Sequence, residues 1–160
     1  MTAEEIKELL NQHLPEVVRE VIQSTTPATL LVDPSRIVEL CSFLRTDKSL
    51  YFDSLSCLTA LDNGPESGTM EVVYTLYSIP YDYKLNIRCE IDRNSPQIPS
   101  VNSVWRTADW HEREAFDLLG INFLNHPDLR RILLPTDWEG FPLRKDYSQQ
   151  EKYHGITVKY

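Results

Sequence analysis

The chain reads as an α+β two-layer sandwich, with helices on one face of a mixed, mostly antiparallel sheet of about five strands, plus an extended C-terminal strap. Three observations predict this. Strand patterns come in runs between helical ones, in the order helix, two strands, helix, three strands, helix. Tyr81 to Ile91 alternates, with Tyr83, Leu85, Ile87, Cys89 and Ile91 on one side and Asp82, Lys84, Asn86, Arg88 and Glu90 on the other, as in an antiparallel strand with one wet face. Beyond Gly120 the periodicity ends, and Pro127, Pro135, Gly140 and Pro142 punctuate what remains. The expected division is an α+β domain over 1–120 and a partner-binding segment over 121–160.

Each element has a local cause. Thr2 and Glu5 have capping-box form, and Ile6, Leu9 and Leu10 share one face of a first helix that Pro15 stops. Val17 to Ile22 is rich in β-branched residues, and Thr29 to Val32 is a second short strand. Asp33 and Pro34 supply an N-cap and an N1 proline to a helix carrying Ile37, Leu40, Cys41 and Leu44 at helical spacing. Strands follow over Tyr51 to Leu61, Met70 to Ile79 and Tyr81 to Ile91, the first two joined through the turn-rich Asp62 to Gly68. Ser95 to Ser100, with two prolines, breaks the sheet. A last helix starts at Val101 or Thr107 and ends at Leu119, in one piece or two, with Gly120 as its C′ residue.

Charge and cysteine usage remove several function classes. The net charge of −8 argues against nucleic acid. Residues 1–100 carry 8 Lys/Arg against 15 Asp/Glu, whereas 101–160 carry 8 against 9, so the tail is nearly balanced and suits contact with protein. Cys41, Cys57 and Cys89 are far apart and form no CxxC, which disfavours iron–sulfur and structural zinc sites. All three fall on apolar faces and are expected to be buried, reduced thiols, consistent with a cytosolic compartment. The N-terminus lacks the basic and apolar regions of a signal peptide, and no apolar run approaches the roughly 20 residues that span a bilayer, so membrane contact is expected only through a partner.

The remaining chemistry is tested residue by residue. His111 and Glu112 invite comparison with the zinc-protease helix, but the position four residues after His111 is Ala115. His13, His126 and His154 lie in separate segments and read as surface or packing histidines. Five glycines form neither GxGxxG nor a P-loop, and no Cys or Ser sits in a nucleophile elbow. Glu112, Glu114 and Asp117 could be paired carboxylates for acid–base work; the plainer reading is an Arg113–Asp117 ion pair on the helix surface with solvated glutamates. Arg130 and Arg131 could instead return to this acidic helix and tie the strap down, a structural role favoured over catalysis.

The strap itself looks unable to fold onto itself. Trp138, Tyr147 and the basic pairs Arg130–Arg131 and Arg144–Lys145 are residue types that anchor protein interfaces, the alternative being that they pack back onto their own core, and Asp137 to Gly140 reads as a turn presenting Trp138.

These residues carry a resemblance. Glu112 to Asp117 (EREAFD), Gly120 to Phe123 (GINF), His126 to Leu133 (HPDLRRIL), Asp137 to Gly140 (DWEG) and Pro142 to Tyr147 (PLRKDY) are similar to the signature of the C subunit of respiratory complex I, the proton-pumping NADH–quinone oxidoreductase, over the last third of the chain. Ser148 and Phe141 depart from that family's usual Pro and His. The resemblance implies a cofactor-free subunit of the hydrophilic arm, peripheral on the cytoplasmic side of a bacterial cell membrane. FMN, iron–sulfur clusters and quinone would belong to partner subunits. The C-terminal extension would pack along the large D subunit, which with the B subunit frames the quinone site. Carried over by residue, Glu112, Arg113, Glu114 and Asp117 form the signature's acidic helix, and Arg130, Arg131, Trp138, Arg144, Lys145 and Asp146 the subunit-facing strap, all ten being expected at partner interfaces. Alternatives are the homologous subunit of a membrane-bound hydrogenase or another quinone-linked dehydrogenase, and a stand-alone hydrolase using His111 and Glu112.

Overall fold

The computed structural model describes residues 1–158, so the last two positions of the expected 121–160 segment lie outside the described residues. The order is α1 (Ala3–His13), β1 (Val18–Ile22), β2 (Thr29–Val32), a 3₁₀ turn (Pro34–Arg36), α2 (Ile37–Thr46), β3 (Ser54–Asp62), β4 (Thr69–Ser78), β5 (Tyr83–Asp92), β6 (Gln97–Pro99), α3 (Ala108–Leu119), β7 (Asn122–Leu124), β8 (Lys152–Tyr153) and β9 (Ile156–Thr157). The capping box at Thr2 and Glu5 forms in both directions. The Asp33 carboxylate accepts from the Ser35 amide, although it opens the 3₁₀ turn rather than α2 directly.

The main sheet has the strand order β1-β2-β5-β4-β3, parallel between β2 and β5 and antiparallel elsewhere. This is the mixed five-stranded sheet the sequence predicts. Alternation places Met70, Val72, Tyr74 and Leu76 of β4 beside Leu85, Ile87, Cys89 and Ile91 of β5 on the buried face. Against them pack Ile6 and Leu10 of α1, Ile37, Leu40 and Leu44 of α2, and Ala108, Ala115 and Leu119 of α3, forming one core. The other face keeps the Arg88–Glu71 ion pair (3.7 Å) and the Thr75–Asn86 hydrogen bond (3.0 Å).

Three expectations are corrected. Cys57 is exposed, because a bulge between Leu55 and Cys57 interrupts the alternation and turns Ser56 and Cys57 outward before Leu58 returns to the core. The break at Ser95–Ser100 contains β6, which leaves the main sheet but pairs in parallel with β7 just after α3. The strap does fold onto itself and onto α3: its turns close through Trp138 N–H to Pro135 C=O (3.1 Å), Arg144 N–H to Phe141 C=O (3.1 Å) and Tyr147 N–H to Arg144 C=O (3.0 Å). No helix among the described residues is long and apolar enough to cross a membrane.

Candidate functional site

The residues singled out in the sequence converge on α3 and the strap that runs back over it. Gly120 ends the helix at φ +76°, where an added Cβ would lie 2.6 Å from Phe141 Cε2 and 2.9 Å from Arg144 Nη2. That close approach lets the returning strap touch the helix end. Leu143 N–H donates to Leu118 C=O (3.0 Å) and Arg144 Nε to Leu119 C=O (2.7 Å), so the strap satisfies carbonyls that a helix C-terminus leaves open.

Asp117 is the principal fastener. Its side chain is fully buried, and Oδ2 accepts from three consecutive strap amides, Ile132 (3.0 Å), Leu133 (2.7 Å) and Leu134 (2.9 Å). Oδ1 accepts from Arg131 Nη1 at 2.8 Å. Burial pushes this carboxyl up, but the Leu134 amide, the Arg131 guanidinium and the Leu133 and Ile132 amides outweigh it and hold the group below the usual carboxylate range. Arg131 then closes the strap's turn by donating from Nη2 to the carbonyls of Trp138 (3.1 Å) and Gly140 (3.0 Å). Two guanidinium groups lie over the Phe141 ring, Arg131 at 5.4 Å and Arg144 at 4.8 Å from its centroid.

The Arg113–Asp117 surface ion pair is not formed. Asp117 turns to the strap amides, and Arg113 donates to the carbonyls of Arg130 (3.2 Å) and Arg131 (3.4 Å) while stacking 5.4 Å from Trp110. A desolvated carboxylate gains more from four donors than from one surface cation. Glu112 is not solvated either. It is fully buried, accepting from Ser100 Oγ (2.5 Å) and the Val101 amide (2.8 Å). Desolvation exceeds the effect of those two donors and raises its pKa to about 7. Buried His126 sits beside it: the Asp128 amide donates to Nδ1 (3.0 Å), so Nε2 carries the ring proton, 3.3 Å from the Asp109 carbonyl and 3.8 Å from Glu112 Oε2. Glu114 and Arg130 are exposed, and Arg130 pairs with Asp128 (2.9 Å).

A second fastener holds the strap's far end, and the sequence reading missed both of its buried members. Asp62, at the end of β3, receives Arg93 Nε (2.7 Å), Arg93 Nη2 (3.1 Å), the Gly64 amide (3.0 Å) and the Lys145 amide (2.8 Å). Arg93 also bonds Asp146 at 2.5 Å, and Lys145 Nζ reaches Asn63 C=O (3.2 Å). The Arg93 guanidinium, with help from the two amides, drives the Asp62 carboxyl far below the ordinary range against the effect of burial. Asp62 lies 83 residues before Lys145, and no local signal links them. Trp138 is half-buried: its indole N–H donates to Tyr147 O–H (3.2 Å) and its ring meets Tyr153 at 5.3 Å.

The arrangement can bind and position. His111 lines shallow surface grooves with Glu114, while the Glu112 carboxylate faces inward to Ser100 and Val101, so the two do not converge. Among the described residues no three His, Cys, Asp or Glu side chains gather closely enough to hold a metal ion. Large apolar side chains do face outward around the fasteners: Trp110 is 63% exposed, Leu133 62% and Leu143 57%.

Residues 30–153 match the family described as "Respiratory-chain NADH dehydrogenase, 30 Kd subunit". The chain is 50% identical over 119 residues to the C subunit of the NADH-quinone oxidoreductase of Chloroherpeton thalassium, covering 74% of this chain and 49% of that protein. It is 41% identical over 150 residues to the protein of the same name from Geotalea uraniireducens, covering 91% and 90%. It thus spans about half the length of the Chloroherpeton relative and nearly all of the Geotalea one. Among solved structures it resembles "Nqo5 of the trypsin-resistant fragment (1-134) in P63 form" (TM-score 0.56, 29% identity, 64% of this chain and 82% of that one). It shares the fold of a chain in the membrane-bound sulfane sulfur reductase, an archaeal respiratory membrane complex (TM-score 0.72, 23% identity, 91% and 85% covered). The sheet, the signature around Asp117 and these likenesses agree: the chain belongs to the family of the 30 Kd subunit of respiratory-chain NADH dehydrogenase.

Proposed function

We propose that this chain is a cofactor-free, non-catalytic structural subunit of the hydrophilic arm of a proton-translocating NADH–quinone oxidoreductase, peripheral on the cytoplasmic side of the cell membrane. It docks onto the D and B subunits and helps assemble the quinone-reducing module, with flavin, iron–sulfur clusters and quinone held by other subunits. Residues 1–120 act as the supporting domain and 121–160 as the docking segment.

One observation carries this reading: the strap is already held in its folded-back path by Asp117, Arg131, Arg144 and the Asp62–Arg93–Asp146 group, while Leu133 and Leu143 point outward. A segment ordered before contact loses little conformational entropy on docking. Within the ten expected interface residues the roles divide. Arg113, Asp117, Arg131, Arg144 and Asp146 hold the strap, Glu112 is buried against Ser100 and Val101, and Lys145 is tied to Asp62 and Asn63, whereas Glu114, Arg130 and the exposed part of Trp138 are open to a partner. Co-expression with the D and B subunits tests the proposal. The wild-type chain is expected to co-purify with them and Leu133→Asp to lose them while keeping its circular dichroism; an unchanged complex with Leu133→Asp would count against docking through the strap. Flavin or cluster absorbance in the purified single chain would count against the cofactor-free assignment.

A further inference from the structure

We propose that the partner's footprint continues past the strap along the outward ridge of α3 and ends in a basic cleft at that helix's start, which receives an acidic segment of the same partner protein. This rests on the docking reading above. A cleft of about 480 Å³ opens between the end of α2, the start of β3 and the turn before α3, with Arg45 and Arg106 on its walls, Ser54 and Ser103 between them and Trp105 beneath.

The two arginines are the unusual feature. Among the described residues, neither guanidinium makes a hydrogen bond, an ion pair or a ring contact, although both are exposed in a chain with 24 acidic residues. The other eight arginines all have a partner. One carboxylate, Asp53, also lines the cleft, but its Oδ1 is taken by the Ile79 amide at 2.9 Å. Two unpaired forks against one engaged acid leave the cleft positive, and planar guanidinium pairs match a carboxylate's geometry.

Continuity with the strap identifies the occupant. Trp110, in the first turn of α3, lies four residues beyond Arg106, 63% exposed and braced by the Arg113 guanidinium. Trp110, His111 and Glu114 then share a groove with Leu133 of the strap. Arg, Trp and Leu in one line form a desolvatable surface with a charged end, as protein interfaces have. A bilayer of anionic lipid fits worse, since the chain's charge of −8 opposes its approach.

The test titrates the full chain against the purified D subunit of the same organism at low and physiological salt. Arg45→Glu/Arg106→Glu is expected to weaken binding about tenfold and to remove much of its salt dependence, with Arg45→Gln/Arg106→Gln between it and wild type. Both side chains lack partners, so melting temperatures should not move. If the double reversal binds like wild type while Leu133→Asp does not bind, this inference falls and the docking proposal stands. If the wild-type chain fails to bind the D subunit, both fall. If the reversal abolishes sedimentation with phosphatidylglycerol vesicles and leaves binding to the D subunit intact, the cleft belongs to lipid and the inference is overturned.

Discussion

Replacing Asp117 separates the strap's own fastening from the stability of the core. Asp117→Asn keeps one acceptor oxygen. If that oxygen faces the amides of Ile132, Leu133 and Leu134, the new NH₂ faces Arg131 Nη1 across a 2.8 Å contact, donor against donor. If the amide flips, three backbone N–H groups meet an NH₂ instead. Breaking a buried, charge-assisted set costs about 3–5 kcal/mol when nothing replaces it. Leu133 is exposed and Ile132 and Leu134 are half-buried, so water reaches some of the freed amides. The expected loss is therefore about 2 kcal/mol for Asn, which keeps one acceptor, and about 4 kcal/mol for Ala, which keeps none. Much of it falls on the strap alone, because the core face of the sheet does not involve residues 130–134. Hydrogen exchange reads this directly: amides 132–134 should exchange about thirtyfold faster in Asp117→Asn, while those of β4 and β5 change little. The pH sign follows from the depressed carboxyl: the fastening is present above the ordinary carboxylate range and is lost as pH falls below it. Unchanged exchange at 132–134 in Asp117→Ala would refute the assignment of Asp117 as the strap's main anchor.

Other outcomes test neighbouring parts. Glu112 has its pKa raised from 4.5 to about 7, so the native state holds a proton the unfolded chain has released and stability falls as pH rises across that interval. The full effect is about 3 kcal/mol. Denaturant titrations at several pH values should show this slope in wild type and not in Glu112→Gln. Gly120→Ala places a methyl against Phe141 and Arg144 at positive φ and should cost about 2–3 kcal/mol, with faster exchange at the Leu143 amide. Arg93→Ala leaves buried Asp62 without its cation and Asp146 without its tie, so the melting temperature should drop and the Lys145 amide should lose protection.

Much of the fold is local in origin and could be read from the chain. The capping box at Thr2, the Asp33–Pro34 helix entry, the period-2 run of β5 and the Gly120 stop each depend on residues within a few positions of one another. The bulge at Cys57 could not be read, because it depends on how β3 meets β4 across a long turn. The candidate site divides the same way. Residue types identified the acidic helix and the basic strap, but the direction of their pairing was set by the three-dimensional return of the chain. Arg113 and Asp117 stand four apart on one helix, a spacing that predicts a pair, yet each found better partners in the strap.

The residue string alone carries the α+β class, the helix boundaries near their caps and glycine stop, and, through the signature from Glu112 to Tyr147, the family. Packing in three dimensions set the rest: Asp117 grips three strap amides, Asp62 and Arg93 fasten Lys145 and Asp146, and Glu112 is buried. Those strap contacts join positions 15 to 83 residues apart, where energy depends on desolvation and on donors converging in space, and neither is encoded in residue spacing.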